Sequence, residues 1–282
     1  WAVPFPNIFK LRGSRKRMVV RKAFQQAIRS IAKHKAVFLL VLILQLVYFS
    51  LLTFLYFQTI PGITEEARNA IESIEAAEES QKAGGSPSIQ NPYLLAAGAK
   101  RMYSEIKTAG FWSAALYVAF NSILWVLSLR MFFGLKRRGY IRALATVGMI
   151  SLLVVLAFGQ LGITNLKSAL VELDGGSSLA IIPAILGIFL LLFVTPLALS
   201  LAVNRPKELL KKWLRILGLH PLKSLWIFLL AAVFFMLAFV VFVLTAEWNI
   251  IVHLAAAGLL VGAAAFSRLF FIASVNIMKK DI

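Results

Sequence analysis

The sequence predicts an all-α fold: a polytopic transmembrane helical bundle of six spans, with two cytoplasmic interfacial amphipathic helices and an outer helical hairpin. Three observations lead there. Of the 282 residues, 60% are hydrophobic and 15% are Asp, Glu, Lys or Arg, against about 45–50% apolar and about 25% charged in soluble domains. The mean hydropathy is +0.82, and runs of about 20 apolar residues, the length that crosses a hydrocarbon core as helix, recur along the chain. The formal net charge is +18, from 30 Lys+Arg against 12 Asp+Glu. A greasy chain can carry such an excess in its cytoplasmic loops.

Three regions follow. Residues 1–36 form a basic cytoplasmic segment, 37–163 a first membrane half with its hairpin at about 60–110, and 164–282 a second half with an interfacial helix at about 206–218. In Met18–His34, Val20, Phe24, Ala27, Ile28 and Ile31 recur at helical spacing, with Arg21, Lys22, Gln25, Arg29 and Lys33 on other faces. Such a stripe enters the membrane interface while its cations meet the headgroups. No cleavable apolar core precedes a small-residue site here, and the first apolar run is long enough to stay as an anchor.

The six spans are Val37–Phe57, Phe111–Phe133, Ala143–Ile163, Leu179–Val203, Leu225–Ala246 and Ile250–Ile277. Between the first two, Thr64 is placed to cap a helix opening with Glu65 and Glu66, whose carboxylates suit the positive end of its dipole. Gly84-Gly85-Ser86-Pro87 breaks that helix, and Asn91-Pro92 starts a second. This hairpin is too small to bury its own core well, so it should lean on the bundle, the bilayer or another protein. Pro183 and Pro196 should kink the fourth span. In the second interfacial helix, Pro206 suits the first helical position, Gly218 the stop, and Leu209, Leu210, Trp213 and Leu217 the apolar stripe. The two amphipathic helices lead into similar spans, which suggests a parallel internal repeat with the third and fourth spans between the copies.

Charge counting sets the expected orientation. The segments 1–36, 135–142, 204–224 and 278–282 hold 22 Lys/Arg, whereas 58–110, 164–178 and 247–249 hold six. The positive-inside rule then places both termini in the cytoplasm, with the basic charge against anionic inner-leaflet headgroups. Charge dispersed over four juxtamembrane segments does not form a nucleic-acid footprint. The terminal Lys279-Lys280-Asp281-Ile282 matches a dilysine retrieval pattern, but a plain charge anchor is the preferred reading.

Chemistry is sparse. With no cysteine there are no disulfides, thiolate metal sites or cysteine nucleophiles. His34, His220 and His253 lie far apart, and none has a second ligand at metal spacing. No Asp or Glu falls within an assigned span, which disfavours proton- or sodium-coupled transport and aspartyl proteolysis. Catalytic and phosphate-loop motifs are missing too, so neither catalysis nor a cofactor is expected. Gln45, Asn121 and Gln160 near mid-span, with the close-packing Gly258 and Gly262, are expected to join helices; the sharper alternative for the amides is a solute-lined cavity. Arg130 and Arg268 near cytoplasmic helix ends can snorkel or meet a headgroup. Arg137, Arg138, Lys211, Lys212 and Trp213 are further candidates for lipid or partner contact.

Two stretches carry a resemblance. Arg21-Lys22-Ala23-Phe24 through Lys35, and Lys136-Arg137-Arg138-Gly139-Tyr140-Ile141-Arg142-Ala143-Leu144, are similar to segments of the permease subunits of ABC-type exporters of the MacB/FtsX kind. In that family they precede the first span and follow the second. The resemblance implies transport driven by a separate cytoplasmic ATPase, although that family has four spans and a large outer domain. The function expected from the residues is instead a non-catalytic scaffold or accessory subunit of a larger complex in a prokaryotic cytoplasmic membrane.

Overall fold

The computed structural model of the protein describes residues 8–82, 92–172, 194–204, 206–245 and 249–280. Every regular element among them is a helix: α1 (Ile8–Lys33), α2 (Lys35–Lys82), α3 (Pro92–Phe133), α4 (Arg137–Glu172), α5 (described at 194–200), α6 (Pro206–Leu219), α7 (Pro221–Leu244) and α8 (Ile250–Lys280). Five of these, α2, α3, α4, α7 and α8, are long and apolar enough to cross a membrane, as in a multi-pass membrane protein. Residues 179–193 of the expected fourth span lie outside the described residues. Its end is helical at 194–200 and then turns, with Leu201 and Ala202 bonding back three residues to Ala198 and Leu199.

The local causes of these helices are plain in α7. Its 24 residues extend about 36 Å, slightly more than a hydrocarbon core of about 30 Å. Pro221 sits in its first turn, where a missing N–H costs nothing. α3 ends on Gly134, whose φ of 56° is the left-handed cap that glycine adopts freely, and whose N–H returns to the Arg130 carbonyl at 3.0 Å.

Two expected boundaries are corrected. Thr64 does not cap a new helix, because α2 runs without a break through 48 residues, Pro61 included. The Thr64 hydroxyl instead donates to the Ile60 carbonyl at 2.8 Å, as Thr59 does to Leu55. The helical propensity of the run outweighs one proline. At about 72 Å and about 63 Å, α2 and α3 are each roughly twice the hydrocarbon thickness; the spans continue into the hairpin arms as single helices. Gly218 does not stop α6 either. The helix continues through it to Leu219 and ends where Pro221 begins α7.

The chain divides into two compact units, Trp1–Leu46 with Val118–Ile282, and Val47–Tyr117. In the first, the C-terminal half of α8 supplies the core. Phe270, Phe271, Ala273, Val275 and Met278 pack with Leu197, Ile216 and Ile227, while Ile272 joins Val126, Leu129 and Val147. Leu269 meets Ala27 and Met131. A helix apolar all round is a buried one, and α8 is such a helix over 269–275. α1 packs on α8: Ala23 and Ala27 are buried, and the Phe24 ring meets that of Phe266 edge-on with centroids 5.4 Å apart. Small residues let the two helix backbones approach, while Phe24 and Ile28 keep part of their surface exposed.

Candidate functional site

Three polar groupings stand out against this apolar frame. The first lies inside the larger unit. Gln45 of α2 is buried, and its side-chain oxygen accepts a long hydrogen bond from Arg268 of α8 at 3.5 Å. The Arg268 guanidinium also lies 5.8 Å from the centre of the Trp125 ring, within the range of a cation–π contact. A neutral amide and a ring face thus attend this half-buried cation. One turn before Trp125 on α3, Asn121 donates to the Ser151 hydroxyl of α4 at 2.9 Å. Most buried hydroxyls in this unit bond within their own helix: Ser128 to Leu124, Ser274 to Phe270 and Ser224 to His220. Others cross between helices, such as Ser30 to the Met131 carbonyl at 3.1 Å and the half-buried Ser267 to that of Ala231 at 3.0 Å.

The second grouping joins α5, α6 and α8. Asn204, in the turn after α5, donates through its amide nitrogen to the Leu201 carbonyl at 2.8 Å. Its amide oxygen accepts from Lys212 Nζ at 2.7 Å, and Lys212 also pairs with Glu208 at 3.3 Å. Lys279 of α8 is within electrostatic reach of both charges. On the apolar face of α6, Trp213 packs against the core while Leu210 and Leu214 are exposed. Trp213 Nε1 and His220 Nε2 are buried with no hydrogen-bond partner among the described residues.

The third belongs to the 47–117 unit. Gly62 and Glu66 lie one helical turn apart on α2; Gly98, Arg101 and Glu105 share a face of α3. A Cβ at Gly62 would come within 2.5 Å of the Glu105 carboxyl, and one at Gly98 within 2.7 Å of the Glu66 carboxyl. Each glycine therefore receives a glutamate from the opposite helix. Arg101 adds an ion pair to Glu66 at 3.6 Å. Beyond this seam is a cleft of about 340 Å³ lined by Glu65, Asn69, Ser73 and Arg101, among others.

The expected site residues are distributed unevenly over these groupings. Gln45 and Asn121 contact neighbouring helices, whereas Gln160 is exposed near the end of the described side chains of α4. Gly258 is exposed, and among the described residues no atom lies within 4 Å of a Cβ built on it or on Gly262. Arg130 and Arg268, grouped together by sequence, separate: Arg130 is exposed and Arg268 turns toward Gln45. Arg137, Arg138 and Lys211 are exposed, while Lys212 and Trp213 are half-buried. His253 stacks 4.5 Å from the Phe242 ring and meets Thr245 at 3.4 Å, joining the start of α8 to the end of α7. Trp125 escaped the sequence reading and Lys279 reads there only as a charge anchor, because their partners lie far along the chain; Asn204 and Glu208 are not singled out by it, although their partner Lys212 is near in sequence. The seam had a fainter signal, a Gly and a Glu four apart on one helix face.

The cleft beside Glu65 and Arg101, a small cavity beside Val19 and Trp226 and the cavity beside Ser200 and Lys279 are not lined by Gln45, Asn121 or Gln160. Among those residues no three His, Asp or Glu come together as metal ligands. Compared with known proteins, the chain matches no family, no curated protein and no solved structure. The two exporter-like stretches thus find no counterpart at the level of a family.

Proposed function

We propose that the chain is a non-catalytic integral membrane scaffold or accessory subunit of a larger membrane complex. It would sit in a prokaryotic cytoplasmic membrane with both termini cytoplasmic, the orientation that 22 Lys/Arg against six favours. One observation carries this reading: the interior amides Gln45 and Asn121 are engaged by Arg268 and Ser151 of neighbouring helices. A solute path needs polar groups facing a common space, whereas helix-to-helix bonds rigidify a bundle. Its partners are anionic inner-leaflet headgroups and other protein subunits, not nucleic acid.

Extraction from the native membrane in mild detergent tests the proposal. The expected result is a stable complex of defined stoichiometry, disrupted by changes on the exposed faces. A chain that migrates alone, with no partner recovered after cross-linking in intact membranes, would contradict it.

A transport permease worked by a cytoplasmic ATPase is the second reading. Arg137, Arg138 and Lys211 support it, since all three are exposed, the first two at the start of α4 and the third on α6. Co-purification of an ATPase whose activity responds to Arg137→Ala, Arg138→Ala or Lys211→Ala would favour this reading over the first.

A further inference from the structure

The turn after α5 and the last turns of α8 border a cavity of about 40 Å³ whose polar lining is Ser200, Asn204, Asn276 and Lys279. That volume exceeds the space of a single water and suits a group of a few heavy atoms. Two of the four polar side chains are already committed. The Ser200 hydroxyl donates to the Pro196 carbonyl at 2.7 Å, and the Asn204 amide is held between Leu201 and Lys212. By contrast, the Asn276 amide and the Lys279 ammonium make no hydrogen bond or ion pair with any described residue. They stand three apart on α8 and so share a face. Together they offer two and three N–H donors.

No carboxylate lines the cavity. The nearest acid on α6, Glu208, is engaged by Lys212. A half-buried cation beside an amide with spare donors suits an anionic acceptor of tetrahedral size. Charge-assisted bonds from such donors to phosphate oxygens are the strong kind. The rest of the lining is apolar, Phe133 and Val203 included, which a free anion would not use and a glycerol ester would.

We propose that this cavity binds a phosphate group, ligated by Lys279 and Asn276, with Lys212 held behind Asn204 as a second cation. The site takes phosphate chemistry from either a phospholipid headgroup or a soluble phosphate ester. It goes beyond the scaffold reading and stands equally if the chain is a permease.

The test uses the full chain in neutral detergent, with binding read by native mass spectrometry against short-chain phosphatidylglycerol, a short-chain diacylglycerol and inorganic phosphate. Phosphatidylglycerol should bind, and Lys279→Gln and Asn276→Leu should each weaken it about tenfold. Lys279→Arg should keep most of the affinity, and Arg215→Ala, at an exposed position of α6, should change nothing. Thermal midpoints identify any variant that is misfolded; Lys279→Gln at an unchanged midpoint is the informative one. Inorganic phosphate much weaker than phosphatidylglycerol identifies a lipid headgroup as the source. Equal affinity, still dependent on Lys279, identifies a soluble phosphate. Equal binding of the diacylglycerol, which lacks the phosphate, or undiminished phosphatidylglycerol binding by folded Lys279→Gln, would overturn the proposal.

Discussion

Leu269, Phe270 and Ile272 of α8 are buried among apolar side chains from most of the other helices of their unit. In the 47–117 unit, α2 and α3 instead meet through carboxyl groups packed on glycine backbone, with one ion pair and an open cleft beside them. The difference is one of what fills the contact. Within lipid, burying an apolar surface gains little over leaving it in the acyl chains, so helix association rests on close packing and on matched polar groups. The 269–278 stretch meets that demand with interlocked side chains, with the Ser274 hydroxyl bonded to the Phe270 carbonyl of its own helix. The carboxyl–glycine seam is partly buried, with one Glu105 carboxyl oxygen buried and without a hydrogen-bond partner among the described residues, and its contacts are the ends of flexible side chains. The first unit is built as a rigid frame; the second has the adaptable surface.

Substitutions should separate the two regions. The largest effect belongs to the frame. Phe270→Ala leaves a void at a junction of α1, α6, α7 and α8 and should cost about 3 kcal/mol or more in reversible unfolding by denaturing detergent. Leu237→Ala, on the exposed face of α7, should cost no more than about 0.5 kcal/mol; equal losses at both positions would break the comparison. Next comes Ser30→Ala, which removes the bond from α1 to the Met131 carbonyl and should cost about 1 kcal/mol in the same assay. The Gln45→Ala and Arg268→Ala cycle should return a smaller coupling of about 0.6 kcal/mol, since the bond is long at 3.5 Å. The seam should respond least. Gly98→Ala moves only the flexible end of Glu66 and gains helix propensity, so the midpoint should rise slightly or stay level. A fall of more than about 1 kcal/mol would mean that the seam is as rigid as the core.

Much of the fold was legible because hydropathy and length act locally. Five of the six expected spans correspond to helices, and Pro206, Pro221 and Gly134 mark ends by their own stereochemistry. What misled was local as well. Thr64 followed by two glutamates has the form of a helix start, yet it lies within a run that is helical on both sides. Gly218 has the form of a stop, yet nothing terminates the hydrogen bonding there until Pro221. The edge of α1 that packs against protein, Ala23 and Ser30, carries no strong hydrophobic signal, because helix packing selects for small size. The candidate sites were less legible. Arg268 with Trp125, and Lys279 with Asn204, depend on helices that meet only in three dimensions, and no periodicity in one segment encodes its partner.

The central claim is that the bundle interior is closed to water and its polar side chains serve packing. The chain contains no cysteine, so single cysteines can be introduced at Gln45, Asn121, Lys211 and Glu72 and probed in membrane vesicles with a charged maleimide. Lys211→Cys should react only from the cytoplasmic side and Glu72→Cys only from the opposite side. Gln45→Cys and Asn121→Cys should stay unmodified from both. Rapid labelling of Gln45→Cys and Asn121→Cys would reveal an aqueous path through the bundle and contradict the scaffold account.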